Sequence, residues 1–177
     1  MSSVRELFGG AVTAICPRNL IDASAIRQVP DTQEVFLYRD SGVSIIVEIL
    51  QRVDPPDFRD AAKFHFDSLA HDNNALQSNV ESVNVIPNDR GDRMPSAIVL
   101  SGHQAIRKCN QATPDQVLVL MAVYRMEEEG IDLVVTFNVP LQSNDGGGVG
   151  EAGRDTARTQ FDTFVRSLTV VDFGLFA

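Results

Sequence analysis

The order of strand-like segments constrains the fold of this chain more than any other feature of its sequence. Four β-branched segments follow one another after residue 79, with turn residues and no helix between them, and three more precede residue 52. Strands that follow one another through short turns pair antiparallel. The sequence therefore predicts an α+β protein with a largely antiparallel sheet. The predicted strands cover residues 11–16, 34–39, 43–50, 80–86, 97–106, 117–126 and 131–139.

Two amphipathic helices are predicted to cover this sheet. The first is expected to begin at Asp54, a favourable N-cap residue that Pro55 follows at the first helical position. The second covers residues 154–168, and in both helices apolar residues recur at the three- and four-residue spacing of one helix face. These apolar positions are Phe58, Ala62, Phe66 and Leu69 in the first helix, and Ala157, Phe161, Phe164, Val165 and Leu168 in the second.

Length and charge limit the classes of function. The chain has 177 residues, 44% of them hydrophobic, which is enough for one domain with its own core over residues 1–177. Its formal net charge of −9 disfavours nucleic-acid and membrane-surface binding, and it favours a partner protein with a basic patch. No apolar run approaches the roughly 20 residues that cross a bilayer, and the N-terminus does not resemble a secretory signal. We therefore expect a protein of the nucleus and cytoplasm.

Patterns that would indicate an enzyme or a metal site are weak. Residues 148–153 match the glycine pattern of a dinucleotide-binding loop, but no strand runs directly into them, so they are interpreted as a solvated loop. Ser101 and His103 lack the turn that holds a serine nucleophile, although a hydrolase stays an open alternative. The histidines and cysteines lack zinc-ligand spacing, so we expect no metal and no cofactor. Cys16 and Cys109 are interpreted as small hydrophobes.

Acidic residues are concentrated between residues 22 and 60, where eight carboxylates stand against four arginines. Glu48 is the most informative of them, because apolar residues surround it in a strand that we expect to be covered on both faces. A buried carboxylate costs free energy unless it is paired. Glu48 therefore either emerges at a rim, where it can bind a partner, or forms a structural ion pair, and the residues alone leave both interpretations open.

Several segments spread over nearly the whole chain are similar to those of a known family. The segments are Leu7-Phe8-Gly9-Gly10-Ala11, Ile21-Asp22-Ala23-Ser24 with Arg27, Val29-Pro30-Asp31-Thr32-Gln33-Glu34-Val35-Phe36, Ser44-Ile45-Ile46-Val47-Glu48-Ile49-Leu50, Phe64-His65-Phe66, Phe137-Asn138-Val139-Pro140, and Ser167-Leu168 with Asp172 ahead of Leu175-Phe176. Together they resemble the Ran guanine-nucleotide release factor family, small Ran-binding proteins linked to nuclear import. Residues 29–35 are the most specific of these segments, and residues 73–116 match more loosely.

The resemblance implies an α/β/α sandwich, with helices on both faces of an antiparallel sheet of about six strands. It also implies a non-catalytic protein that binds the small GTPase Ran and promotes release of its guanine nucleotide. The family's Ran-binding surface is acidic, and by position its two strand acids fall on Glu48 and on Gln51, which is neutral here. Asp31 and Glu34, from the most specific segment, are secondary candidates, together with Asp22.

Two other functions stay open at this stage. One is a passive adaptor that binds Ran or another protein without releasing nucleotide. The other is a small-molecule-binding or enzymatic sandwich domain, which would have a concave pocket with converging polar groups. We expect a monomer in each case.

Overall fold

The computed structural model describes residues 1–108 and 111–177, which form two antiparallel sheets and two α-helices. The strands are β1 (Ser2–Leu7), β2 (Val12–Pro17), β3 (Leu20–Asp22), β4 (Gln33–Tyr38), β5 (Ser44–Gln51), β6 (Gln77–Ile86), β7 (Ala97–Ile106), β8 (Asp115–Met126), β9 (Ile131–Gln142) and β10 (Thr169–Val170), and the helices are α1 (Phe58–Asp72) and α2 (Gly150–Ser167). Seven strands form the main sheet in the order β3-β4-β5-β9-β8-β7-β6, and β1, β2 and β10 form a small second sheet. The prediction of an α+β protein with a largely antiparallel sheet is confirmed, with seven strands in the main sheet where about six were expected.

Strand β8 shows why the main sheet has two separate apolar layers. Its residues are buried almost without interruption, because side chains of a strand point alternately to opposite faces and both faces are covered. Val119 and Met121 pack in a cluster with Phe66 of α1, on one face. Leu118 and Leu120 pack on the other face, in the cluster that holds Phe161, Phe164 and Leu168 of the α2 region. We call the two sides of the sheet the α1 face and the α2 face.

The α1 face is incompletely covered. Helix α1 packs mainly against β6, β7 and β8, so it does not extend over the half of the sheet that contains β4 and β5. On β5, Ile45 and Val47 are fully buried on the α2 face, whereas Ile46, Glu48 and Leu50 are only half-buried on the α1 face. The expectation that β5 is covered on both faces is therefore wrong for its α1 face, and this opening places Glu48 at a rim.

Helix α1 begins later than the sequence pattern indicates. Asp57, and not Asp54, is its N-cap residue, and the Asp57 carboxylate accepts hydrogen bonds from the backbone N–H groups of Arg59 and Asp60. A residue that precedes proline is disfavoured in helical conformation, and Pro55 itself precedes Pro56. Pro55 is therefore disfavoured as the first helical residue, and Asp54 does not act as the N-cap. Neither helix in the described part of the chain is both long and apolar enough to cross a membrane.

Three strands were not predicted from the sequence, because they are short or polar. Strand β1 alternates exposed and partly buried residues and pairs antiparallel with β2, while β3 and β10 have three and two residues. Cys16 on β2 is buried, as expected, and Cys109 lies outside the described residues. Residues 150–153 form the first turn of α2, so the helix begins four residues before the expected start at residue 154, and the interpretation of residues 148–153 as a loop is wrong for 150–153. The preceding strand, β9, belongs to an antiparallel sheet, so the segment is not part of the βαβ unit that dinucleotide binding requires.

Candidate functional site

A groove of about 340 Å³ lies between the second half of α1 and strand β5. It exists because α1 stops short of β5, which leaves the helix and the strand as two walls with the sheet as the floor. We call it the α1–β5 groove. Its walls include Phe64, His65, Leu69 and Asp72 of α1, and Glu48 and Leu50 of β5.

Glu48 is the half-buried carboxylate of this groove. It lies opposite Gln33 of β4 and Val134 of β9 in the sheet register, on the α1 face. Gln33 Nε2 donates a hydrogen bond of 3.0 Å to Glu48 Oε2. Burial raises the pKa of Glu48 above its usual range, and this effect outweighs the hydrogen bond from Gln33 and the attraction of His65. The carboxylate is therefore held by one neutral amide and has capacity to accept more hydrogen bonds.

A second carboxylate shares the groove with Glu48. Asp72, the last residue of α1, is exposed, and its negative charge also contributes to the raised pKa of Glu48. Among the described residues, neither carboxylate forms a salt bridge with an arginine, lysine or histidine. Two acidic groups that line one groove and form no salt bridge favour binding of a positive charge from outside the chain.

A buried network of charged and polar groups adjoins the groove through His65, which lines it. His65 Nε2 donates to Asp132 Oδ2 at 2.8 Å, and Arg125 Nε donates to Asp132 Oδ1 at 3.2 Å. Arg125 also donates to the carbonyl groups of Val53 and Pro55, which ties the segment before α1 to the sheet. Burial alone would raise the pKa of Asp132, but these donors and charges, with the Val53 N–H, hold it below its usual range. The network is internally satisfied and fixes the position of α1.

Gln51, the neutral residue at the second family position, is exposed at the end of β5 and lines the same groove as Glu48. The structure therefore brings Glu48 and Gln51 together, as the resemblance implies. Among the described residues that line the groove, Asp72 is the one acidic side chain contributed by α1. Sequence reasoning did not select Asp72, because it lies on a different element, 24 residues after Glu48 in the chain.

The other three candidate residues line a second depression, of about 400 Å³, beside the turn before β4. Asp22 caps a short 3-10 turn and accepts hydrogen bonds from the Ser24 N–H and hydroxyl. Glu34 accepts a hydrogen bond of 2.7 Å from the Phe8 N–H, and burial raises its pKa. Asp31 is exposed in the turn that the Gln33 N–H closes onto the Pro30 carbonyl. Asp22 and Glu34 thus hold local backbone, whereas Asp31 projects from the surface.

The alternative chemistries have little geometric support in the described residues. Ser101 on β7 is buried and lies 3.4 Å from Arg158 of α2, while His103 Nδ1 lies 3.7 Å from Glu81. The two residues therefore have different partners instead of one another. His65 is paired with Asp132, but no metal-binding group of three or more His, Cys, Asp or Glu side chains occurs within residues 1–108 and 111–177.

Comparisons with known proteins cover nearly the whole chain. The model of a family described as Ran-interacting Mog1 protein matches residues 5–140. The Ran guanine nucleotide release factor of Danio rerio is 33% identical over 97% of this chain and 98% of its own length. That of Homo sapiens is 36% identical over 96% and 94%. The crystal structure of the Saccharomyces cerevisiae Ran-binding protein Mog1p has a TM-score of 0.80 and 28% identity, covering 100% of this chain and 99% of its own. The chain therefore belongs to the Mog1 family, which confirms the resemblance inferred from its sequence.

Proposed function

We propose that this protein binds the small GTPase Ran and promotes release of its guanine nucleotide, in support of nuclear protein import. The family and the names of the relatives from Danio rerio and Homo sapiens support this proposal. In this proposal residues 1–177 act as one monomeric domain in the nucleus and cytoplasm. The protein is a non-catalytic regulator that needs no cofactor, and neither nucleic acid nor a membrane takes part.

The observation that carries the proposal is the state of Glu48. Its carboxylate is half-buried in a groove, retains one neutral hydrogen-bond donor and shares the groove with Asp72. Isolating a carboxylate in this way costs free energy, and a lysine or arginine of a partner would offset that cost. A basic patch on Ran is therefore the complementary surface. The net charge of −9 would also speed the encounter with such a patch.

Nucleotide release follows from binding, without an active site. If the protein binds nucleotide-free Ran more tightly than nucleotide-loaded Ran, it must lower the affinity of Ran for nucleotide by the same factor. A coupling free energy of ~3 kcal/mol weakens nucleotide binding by roughly 150-fold. In this proposal no group on this protein has to transfer a proton or form a bond.

The remaining candidate residues have graded roles in this proposal. Gln51 lies at the edge of the contact and contributes hydrogen bonds instead of charge. Asp31 is a secondary contact, because it is exposed and its carboxylate has no recorded bond within the described residues. Asp22 and Glu34 act indirectly, because Asp22 holds the turn at residues 23–25 and Glu34 holds the Phe8 N–H, both beside the depression that Asp31 also lines.

The test is release of a fluorescent GTP analogue from Ran, with and without this protein, at two salt concentrations. We expect the protein to accelerate release, and to do so less at the higher salt concentration because salt screens the charges that steer association. Glu48→Lys should weaken binding at least about thirtyfold, since it replaces one partner of a partly buried charge pair with a like charge.

The matched control is Glu128→Lys, which makes the same charge change at an exposed hairpin tip, where Glu128 is 85% exposed. Glu128→Lys should alter the rate of nucleotide release less than about threefold, because the changed charge is exposed and lies outside the proposed contact. Binding without accelerated release would identify a passive adaptor. Full activity of the Glu48→Lys variant would show that the α1–β5 groove is not the Ran contact.

A further inference from the structure

We propose that helix α1 forms the second wall of the Ran-binding groove, and that Asp72 and Glu48 together bind one basic side chain of the partner. The inference rests on the proposed function and deepens it, because it names a new contact residue and the chemistry of the group that it receives. The occupant is a lysine or arginine side chain, with its stem inside the groove and its charged end between the two carboxylates.

The spacing of residues on α1 creates this second wall. His65, Ser68, Leu69 and Asp72 recur at intervals of three and four residues, so they form one stripe that faces β5. Glu48 and Leu50 face that stripe from the strand. A ligand in the groove therefore contacts both elements, and a surface limited to β5 would use only half of the available contact.

The position of Asp72 is unfavourable for the helix itself. The carbonyl groups of the last turn carry partial negative charge, so a carboxylate on the final residue of α1 is repelled by the helix dipole. Glu48, across the groove, repels it as well. The structure records no cation against Asp72 among the described residues. A positive charge supplied by a partner would relieve both repulsions at once.

The other wall residues select a long basic side chain over a small cation. Leu50, Leu69 and Val134 line the groove beside the carboxylates and provide apolar surface. Lysine and arginine bury their aliphatic stems against such surface while their charged ends stay with polar groups. Phe64, 50% exposed on the same helix, lies at the rim, where it can cover that stem and exclude water from the charged contact.

The experiment measures Ran affinity and nucleotide release for Asp72→Asn and for a matched control, Asp67→Asn. Asp67 lies on the same helix and is exposed, but its carboxylate is paired with Lys63 at 2.6 Å. Asp72→Asn is expected to weaken binding about tenfold, whereas Asp67→Asn should change it less than about twofold. Because the substitution removes an unfavourable charge from the helix end, Asp72→Asn should raise the unfolding midpoint, so lost binding will not reflect misfolding.

A double-mutant cycle and a rim variant complete the test. If Asp72 and Glu48 hold the same basic group, the combined Asp72→Asn and Glu48→Gln variant should lose less binding than the product of the two single losses. Phe64→Ala should weaken binding without lowering stability. Equal effects of Asp72→Asn and Asp67→Asn would overturn the inference while leaving Ran binding intact. A wild-type protein that neither binds Ran nor releases nucleotide would instead overturn the proposed function.

Discussion

Two carboxylates on the same face of the sheet experience opposite environments. Asp132 and Glu48 lie on the neighbouring strands β9 and β5, and both point toward α1. Asp132 is fully buried, receives hydrogen bonds from His65, Arg125 and the Val53 N–H, and has a lowered pKa. Glu48 is less buried, receives one amide hydrogen bond, and has a raised pKa.

The difference shows that burial alone does not reveal what a carboxylate does. Asp132 is more buried than Glu48. Its hydrogen-bond donors and the nearby positive charge nevertheless outweigh the free-energy cost of burying the carboxylate, so the charged form of Asp132 is stabilised within the chain. Glu48 has one amide hydrogen bond, which does not offset the cost of its burial, and it lies in a groove that a partner can reach. We infer that the first stabilises the fold, and that the second is available for binding.

The largest expected effect is on stability, from Asp132→Asn. The substitution leaves Arg125 buried without its counter-charge and weakens the contact of His65, so it should lower the free energy of unfolding by about 3–5 kcal/mol at neutral pH. Chemical denaturation measures this loss, and Asp67→Asn, at an exposed position on α1, is the control.

The pH dependence of that loss follows from the lowered pKa of Asp132. A carboxylate with a depressed folded-state pKa stabilises the protein above its unfolded-state pKa, and this contribution disappears as the pH falls through the folded-state value. The gap between wild type and Asp132→Asn should therefore narrow below about pH 4. A gap that stays constant down to pH 2 would contradict the assignment of charge to Asp132.

An intermediate effect is expected at Glu34, whose carboxylate is partly buried and holds one backbone group. Glu34→Ala removes the acceptor of the Phe8 N–H and should cost about 1 kcal/mol of stability. Release of nucleotide from Ran should change less than about twofold, because binding charges of this kind matter mainly where they contact the partner. Equilibrium unfolding and the release assay distinguish the two roles, and a strong loss of release at unchanged stability would make Glu34 a direct contact.

The smallest effect on stability, and one of opposite sign, is expected from Glu48→Gln. A carboxylate with a raised folded-state pKa lowers stability once the pH exceeds its unfolded-state value, so its neutral replacement should raise the unfolding midpoint slightly at pH 7. The gain should vanish below about pH 4, where Glu48 is protonated in both states. Thermal unfolding of Glu48→Gln between about pH 4 and pH 7 measures this gain, in parallel with Asp132→Asn. A loss of stability at pH 7 would instead show that Glu48, like Asp132, stabilises the fold.

The sequence predicted elements well where one periodic pattern dominated. Two local signals predicted their elements, the run of apolar residues in β8 and the three- and four-residue spacing of Ala157, Phe161 and Phe164 in α2. The structure contains both the strand and the helix. The start of α1 was wrong, because Asp54 satisfies the capping pattern but the two prolines that follow delay the helix until Phe58. Strand β1 was missed because its pairing with β2 supplies the order that its own polar sequence does not specify.

The candidate site divides in the same way. Glu48 stood out because a lone carboxylate in an apolar strand is costly wherever it lies, and that cost can be inferred from neighbouring residues. Asp72 did not stand out, since it is one polar residue among others at the end of a helix. Asp132 carries the same signal as Glu48, a lone carboxylate in an apolar strand, but nothing in the sequence shows that His65 and Arg125 pair with it. Their roles depend on which residues α1 and β9 bring within a few ångströms of them.

By itself the sequence determined the fold class and the family, and it singled out Glu48 as the main candidate, because alternation, helical spacing and short segments are properties of local sequence. Only the tertiary structure decided that α1 stops short of β5 and that Asp132 has salt-bridge partners within the chain while Glu48 has none among the described residues. It also decided that Asp72 and Glu48 line the same groove. The physical reason is that the free energy of a charge depends on the groups around it in space, and those groups come from distant parts of the chain.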